Sequence, residues 1–174
     1  GLSLWSLRNE ILQAVAITIV LWGALVAWLG VGVLPFLLLA SFWANFQLTS
    51  ANYVEHSGLL RQRLPDGRYE MCQPHHSWNS NHIFSNWAVF HLQRHSDHHA
   101  HPGRRYQSLR HFEDLPQLPS GYFGIFPIAY VPWLWYRIMD PRLLEVTRRD
   151  PNRINFDPAR RDRLMQRFGL AETS

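Results

Sequence analysis

The sequence predicts an all-α protein in which a transmembrane helical hairpin precedes a cytoplasmic helical region rich in histidine. Three observations support this fold class. Residues 11–54 contain no charged side chain, and this stretch is interrupted once, by Gly30-Val31-Gly32. Nine of the ten histidines fall between His75 and His111. Apolar and charged residues are segregated in this way when a membrane hairpin is joined to a polar region.

The hairpin is predicted as two spans, residues 11–29 and 33–49. At about 1.5 Å per residue, the first span is long enough to cross a hydrocarbon core of roughly 30 Å. Pro35 lies near the start of the second span, where a helix tolerates proline. Arginines flank the hairpin and are absent from its turn, so the positive-inside rule places both ends in the cytoplasm. A long core helix of a soluble protein is the alternative.

The rest of the chain is divided into a histidine-rich region at 50–111, a kinked or interfacial helix at 112–139 and a polar tail at 140–174. One helix is predicted from Trp78 to His99, and a short amphipathic helix over 158–168. Residues 122–139 are predicted as one helix kinked by its two prolines. Because the chain opens on Gly1 rather than Met, we expect it to be a fragment of a longer protein.

Composition limits the chemistry of the chain. Cys72 is the single cysteine, which excludes an intrachain disulfide and a cysteine-based metal site. All 17 basic residues are arginine, a hint of bacterial origin. Nothing in the sequence predicts a nucleic-acid partner.

The sharpest histidine cluster is His95-Ser96-Asp97-His98-His99. On a helix, positions i, i+3 and i+4 share a face, so His95, His98 and His99 would point into one small volume. Three neutral imidazoles suit one or two divalent ions of iron, copper, nickel or zinc. A solvated histidine run is the alternative. His56, at the predicted cytoplasmic end of the second span, is a further ligand candidate, although a lone histidine there is more often interfacial.

Two segments resemble sequence boxes of a known family. Residues 92–99, LQRHSDHH, are similar to the LQRHSDHH box of the membrane alkane monooxygenases, within the fatty acid desaturase-like superfamily. Residues 52–59, NYVEHSGL, are similar to the NYxEHYGL box of the same family, and SWNSNH at 77–82 with Asn86 also looks like family sequence. The LQRHSDHH box is shared with xylene monooxygenases. Ser57 departs from the family tyrosine, which puts substrate specificity in question.

The resemblance implies that His56, His95, His98 and His99 bind iron in a non-haem di-iron centre. It implies that residues 1–174 are the C-terminal part of one integral-membrane oxygenase domain, and that histidines of upstream HxxxH and HxxHH boxes outside this chain complete the site. The fragment alone should therefore be inactive. The implied activity is that of an alkane 1-monooxygenase, which uses O₂ to convert medium- or long-chain alkanes to 1-alkanols.

The resemblance further implies that rubredoxin supplies the electrons, and that the enzyme lies in the bacterial inner membrane with its metal site on the cytoplasmic side. Three alternatives remain open. The first is a xylene or alkyl-aromatic monooxygenase, the second a fatty acyl hydroxylase or desaturase, and the third a non-enzymatic membrane metal or haem protein.

Several residues are expected to support such a site. Glu55 and Asp97 are candidate hydrogen-bond partners for metal-bound imidazoles. His91 lies four residues before His95 and is a weaker candidate, either as a metal ligand or as such a hydrogen-bond partner. The remaining histidines are interpreted as structural or surface groups: His75, His76, His82, His101 and His111.

Two further sets of residues are candidates for contacts with the substrate and with the electron donor. Residues of the spans are candidates for a route from lipid to the metal, with lipid-facing packing as the alternative: Trp22, Leu25, Leu29, Phe36, Leu39 and Phe46. Arginines near the boxes are candidates for attracting the acidic rubredoxin, with positive-inside charge as the alternative: Arg61, Arg63, Arg104, Arg105 and Arg110.

Overall fold

The structure is a computed structural model that describes residue 6 and residues 8–170. Seven α-helices occur in this range: α1 Glu10–Leu29, α2 Leu34–His56, α3 Ile83–Ala88, α4 His95–Ala100, α5 Tyr122–Ala129, α6 Pro132–Val146 and α7 Arg161–Phe168. Five 3₁₀ turns connect or extend them: Val31–Val33, Pro74–His76, Tyr106–Ser108, Pro151–Arg153 and Pro158–Arg160. Over the described residues, β structure is limited to three isolated bridges, which confirms the predicted all-α class.

The chain divides into two compact units, Gly1–Leu48 and Thr49–Ser174. In the first unit, the Asn9 side chain caps α1 by accepting a hydrogen bond from the Ile11 amide at 3.0 Å. Gly30 ends α1 with φ +82°, a conformation that glycine adopts without steric penalty. No residue of α1 is buried. By length and composition, α1 and the stretch Val31–His56 are both long and apolar enough to cross a membrane.

The second apolar helix is longer than predicted. It continues past residue 49 and ends at His56, because the chain meets no glycine or proline until Gly58, which has φ +79°. The last turns of α2 bury Ala51, Val54 and Glu55. As a result, the candidate ligand His56 is the last residue of a long helix.

The core of the second unit contains two tryptophans, Trp78 and Trp135, which are each 1% exposed. Residues from α2, α5 and α6 pack with them, and the described members of this cluster are Ala51, Val54, Leu59, Leu118, Tyr122, Ile125 and Met139. The core therefore connects the end of α2 to the two C-terminal apolar helices.

The prediction of one kinked helix over 122–139 is wrong in detail. The structure has two helices, because Val131 is extended (φ −116°, ψ 91°) and Pro132 begins a new helix. Proline has no amide hydrogen to continue the preceding helix and suits the first helical position. The second of these two helices, α6, ends at Val146, inside the predicted polar tail. In that tail, the predicted amphipathic helix over 158–168 is confirmed as a 3₁₀ turn followed by α7.

The prediction of one helix from Trp78 to His99 is also wrong. Two short helices, α3 and α4, are separated by a turn in which Phe90 and His91 have positive φ. Before α3 the backbone is extended: the Asn79 amide donates to the Pro116 carbonyl at 2.8 Å, and the Leu118 amide donates to the Asn79 carbonyl at 2.7 Å. These long-range hydrogen bonds override the local helical pattern.

Candidate metal centre

Three imidazoles converge in the second unit. His56 comes from the end of α2, while His95 and His99 lie one turn apart on α4. The Nε2 atom of His56 lies 3.2 Å from Nε2 of His95 and 3.2 Å from Nε2 of His99, and the latter two atoms are 2.8 Å apart. We call these residues the histidine trio. The structure thus brings together three of the four predicted ligands.

The spacing within the histidine trio fits one metal ion. Nitrogen ligands at about 2.1 Å from a metal and at right angles to one another lie about 3.0 Å apart. The observed separations of 2.8 to 3.2 Å lie on either side of that value. Imidazole nitrogens suit iron, copper, nickel and zinc, so the donor set by itself does not select among these metals.

The other ring nitrogen of His56 fixes its tautomer. Nδ1 of His56 lies 3.1 Å from the backbone carbonyl oxygen of His76. Because a carbonyl oxygen only accepts hydrogen bonds, Nδ1 carries the proton and the lone pair is on Nε2. The lone pair therefore faces the centre of the histidine trio, as metal binding requires.

A buried carboxylate lies behind His95. Nδ1 of His95 is 3.2 Å from Oε1 of Glu55, which is 3% exposed, although this contact lacks hydrogen-bond geometry. The Tyr122 hydroxyl donates a hydrogen bond to the same Oε1 atom. Burial raises the pKa of Glu55 to about 8. When ionised, the carboxylate only accepts hydrogen bonds, and it then favours the tautomer of His95 whose Nε2 lone pair faces the other two histidines.

Burial keeps two of these imidazoles neutral. Burial, together with the neighbouring His99, His56 and His98, lowers the pKa of His95 to about 3. Burial, together with His56, His98 and Arg61, lowers the pKa of His99 to about 4. A metal ligand must be deprotonated, so both rings are in the binding form at neutral pH.

Asn79 positions the α4 helix, a role that the sequence did not reveal. Its Oδ1 accepts from the Ser96 amide at 2.9 Å, and its Nδ2 donates to the Ser96 hydroxyl at 2.6 Å and the Ser77 carbonyl at 3.0 Å. It thus satisfies an amide in the first turn of α4, as a capping residue does. The resemblance identifies the SWNSNH segment, which contains Asn79, only as family sequence.

The fourth predicted ligand lies beside the histidine trio. The ring of His98 is 5.9 Å from that of His95 and 5.7 Å from that of His99, centroid to centroid. The ligand atoms of the histidine trio all lie within 4.8 Å of one another, and the nitrogens of His98 are not part of this group. His98 is partly buried, and its role as a ligand stays a prediction.

Two of the predicted supporting residues have other contacts. His91 is not on a common helix with His95, and its Nδ1 lies 3.2 Å from the Tyr106 carbonyl. Asp97 is 1% exposed and pairs with Arg104, while one of its oxygens accepts from the Arg110 amide at 2.9 Å. Burial would raise the pKa of Asp97, but the hydrogen bonds from Arg110 and Arg104 lower it.

The remaining histidines have varied surroundings. His76 is buried, accepts from the Gln73 amide at 3.0 Å and lies 3.2 Å from Glu70. His101 lies 3.1 Å from Asp97. His75 and His82 are exposed. His76 therefore has a larger structural part than the sequence suggested, because its carbonyl orients His56.

The candidate channel residues lie in the first unit. Trp22 and Leu25 are partly exposed, and the other four, Leu29, Phe36, Leu39 and Phe46, are exposed. Their part in guiding substrate stays a prediction.

Ser57 borders a cavity of about 340 Å³ in the second unit. Its carbonyl accepts a hydrogen bond from Trp78 Nε1 at 2.8 Å, and both residues line the cavity with Tyr53, Trp135 and Arg167. A side chain larger than serine at position 57 would extend into this space.

Two long apolar helices and a partly buried histidine trio define a helical, histidine-rich metal protein of the membrane. The sequence profile of the fatty acid desaturase family matches residues 3–129. The chain belongs to this family.

Curated relatives narrow the comparison. The chain is 55% identical over 171 residues to alkane 1-monooxygenase 1 of Alcanivorax borkumensis, covering 98% of this chain and 42% of that protein. It is 53% identical to alkane 1-monooxygenase of Ectopseudomonas oleovorans, covering 98% of this chain and 43% of that protein. The xylene/toluene monooxygenase hydroxylase component of Pseudomonas putida is 32% identical over 143 residues, covering 80% of this chain and 36% of that protein. The chain therefore spans less than half the length of these relatives.

Proposed function

We propose that this chain is the C-terminal part of a membrane alkane 1-monooxygenase, which hydroxylates the terminal carbon of medium- or long-chain alkanes with O₂. The observation that carries the proposal is the histidine trio, whose three Nε2 atoms lie within 3.2 Å of one another. Its residues lie in the two boxes that resemble the alkane monooxygenases. The identity of 55% to a relative with that name supports the same substrate class.

A xylene or alkyl-aromatic monooxygenase is the second candidate. The identity of 32% to the xylene/toluene enzyme component favours it less than the alkane relatives favour the first. Ser57 keeps the question of substrate open, because it borders a cavity and directly follows the proposed ligand His56 in sequence.

We assign the histidine trio to one iron of a di-iron centre and His98 to the second. The other ligands would come from HxxxH and HxxHH boxes outside this chain, so the chain alone would be inactive. When bound, iron supplies the redox chemistry with O₂ that side chains lack and that an unactivated C–H bond requires. The residues of this chain hold the imidazoles of His95 and His99 neutral, orient His56 through the His76 carbonyl and keep His95 beside Glu55.

For the electron donor we propose rubredoxin, attracted by arginines on the cytoplasmic side. The structure changes the choice of residues to test. Arg104 is held by the buried Asp97, so replacing it would disturb the fold near α4. Arg63 and Arg105 are exposed, and a double Ala variant of these two should weaken reduction by rubredoxin at low salt. Unchanged reduction kinetics at low salt would remove the docking idea.

We place the protein in the bacterial inner membrane with the metal centre on the cytoplasmic side. The positions of the arginines around the apolar helices support this orientation. An alkane partitions into lipid, so the apolar helices would give it a route to the iron. The residues proposed along that route are Trp22, Leu25, Leu29, Phe36, Leu39 and Phe46.

The function is tested on the whole protein, with this chain joined to its upstream sequence. The membrane protein is supplied with reduced rubredoxin, O₂ and, in separate reactions, n-octane, n-hexadecane or m-xylene, and the products and bound iron are measured. We expect 1-alkanols from the alkanes, and we expect His56→Ala, His95→Ala and His99→Ala each to lose iron and activity. His75→Ala, at an exposed histidine near the same loop, is the matched control. Preferential oxidation of m-xylene would favour the second candidate, and full activity of the three variants would contradict the site.

A further inference from the structure

The position of Tyr122 gives it a part in the metal centre that its sequence context does not reveal. It lies at the start of α5, outside both boxes that carry the family resemblance, and is 3% exposed. Its hydroxyl donates to Oε1 of Glu55, the same atom that lies 3.2 Å from Nδ1 of His95. A chain of contacts therefore runs from Tyr122 through Glu55 to a ring of the histidine trio.

The partners of Glu55 make this contact important. Among the described residues, the recorded side-chain contacts of its carboxylate are with Tyr122 and His95. No arginine is among these contacts, although all 17 basic residues of this chain are arginines. A buried carboxylate needs hydrogen-bond donors in place of water, so the hydroxyl of Tyr122 is a principal determinant of where the carboxylate lies.

Tyr122 is itself held from the other side of the site. Its backbone amide donates to Oε1 of Gln93 at 3.0 Å, and Gln93 is fully buried two residues before His95. Its ring stacks on Phe126, with centroids 5.0 Å apart. The contacts thus form a closed ring of residues. Gln93 accepts from the Tyr122 amide, the Tyr122 hydroxyl donates to Glu55, and Glu55 contacts His95, which lies two residues after Gln93.

We propose that Tyr122 is a positioning residue of the metal centre, which holds the Glu55 carboxylate against the ring nitrogen of His95 that does not face the metal. This inference rests on the proposed function, because it assumes that His95 binds metal. A carboxylate at that nitrogen orients a metal-bound imidazole and increases its basicity, and removing such a partner typically lowers metal affinity by about 10- to 100-fold.

The test compares two tyrosine hydroxyls in the whole protein purified in detergent. Tyr122→Phe removes one oxygen and leaves the buried ring in place. Tyr130→Phe is the matched control, because that hydroxyl donates to Ser50 and Tyr130 is largely exposed. The metal-free protein is titrated with Co²⁺, whose visible absorption bands report the ligand field of the histidines, and the dissociation constant is measured against a competing chelator.

We expect Tyr122→Phe to weaken one Co²⁺ site by about 10-fold and to shift its visible bands. Tyr130→Phe should change neither quantity. Glu55→Gln should weaken the same site, and the double variant Glu55→Gln with Tyr122→Phe should bind no worse than Glu55→Gln alone, because both changes act on one contact.

Three results would overturn the inference. In the first, Tyr122→Phe has the same Co²⁺ affinity and spectrum as Tyr130→Phe. In the second, the losses of Co²⁺ affinity in the double variant are additive. In the third, Tyr122→Phe loses affinity with unchanged bands, and the unfolding temperature of the metal-free protein falls to match. If the unsubstituted protein binds no Co²⁺ or iron, the proposed function fails instead, so the two failures are distinguishable.

Discussion

The Nδ1 atom of His56 lies 3.1 Å from the backbone carbonyl oxygen of His76, twenty residues further along the chain. The carbonyl is in place because the His76 side chain anchors its 3₁₀ turn, accepting from the Gln73 amide and contacting Glu70. The buried His76 therefore controls how the proposed ligand His56 is oriented.

This relationship predicts the effect of His76→Ala. The variant should lower the free energy of unfolding by about 1–3 kcal/mol, because the partly buried hydrogen bond from the Gln73 amide is lost, and it should reduce bound iron. Differential scanning fluorimetry and iron analysis of the whole protein check both effects. The adjacent His75 is exposed, and His75→Ala should change stability by no more than about 0.5 kcal/mol. Equal behaviour of the two variants would contradict the anchoring role.

The side chain of Asn79 holds α4 against the SWNSNH segment. We expect Asn79→Ala to lower the free energy of unfolding by about 1–3 kcal/mol, because the Ser96 amide and hydroxyl lose a buried partner. Chemical denaturation monitored by tryptophan fluorescence measures the loss. Asn81→Ala is the control, since its contact with Arg94 is exposed. A loss no larger in Asn79→Ala than in the control would show that α4 is held by other contacts.

Gly121, the residue before Tyr122, is packed too closely for a side chain. A Cβ atom there would lie 2.3 Å from the Ser85 hydroxyl oxygen and 2.9 Å from Cβ of His82. Gly121→Ala should therefore displace the start of α5 and lower the unfolding temperature by several degrees. At Gly103 a Cβ would meet nothing within 4 Å, so Gly103→Ala should leave the unfolding temperature almost unchanged. Thermal scans of the two variants decide the matter, and an unaffected Gly121→Ala would refute the close packing.

Removal of metal should loosen a defined part of the second unit. The histidine trio joins the end of α2 to α4, so a chelator should remove the stabilisation of that junction. We expect faster amide hydrogen exchange in residues 95–100 and 74–76 after chelation, while α6, whose Trp135 is buried, keeps its protection. Hydrogen exchange with mass spectrometry compares the two states. Uniform exchange across both regions would argue against a metal-dependent junction.

The sequence determined the two long apolar helices, apart from the end of α2, and the chemistry of the donors, because both follow from local composition. A charge-free run predicts α1 to within one residue at its start, since helix length and apolarity suffice to define it. The i, i+4 spacing of His95 and His99 places them on one face of α4, a purely local property.

The tertiary structure decided how the donors meet. The local pattern favours one helix from Trp78 to His99, but long-range hydrogen bonds keep the backbone extended at Asn79, and a turn with positive φ at Phe90 and His91 separates α3 from α4. The same long-range packing brings Glu55, His76 and Tyr122 to the histidine trio. Periodicity does not encode such contacts, because they join residues up to 67 positions apart. The residue type and spacing of the donors therefore follow from the local sequence, whereas their orientation depends on the packing of the whole second unit.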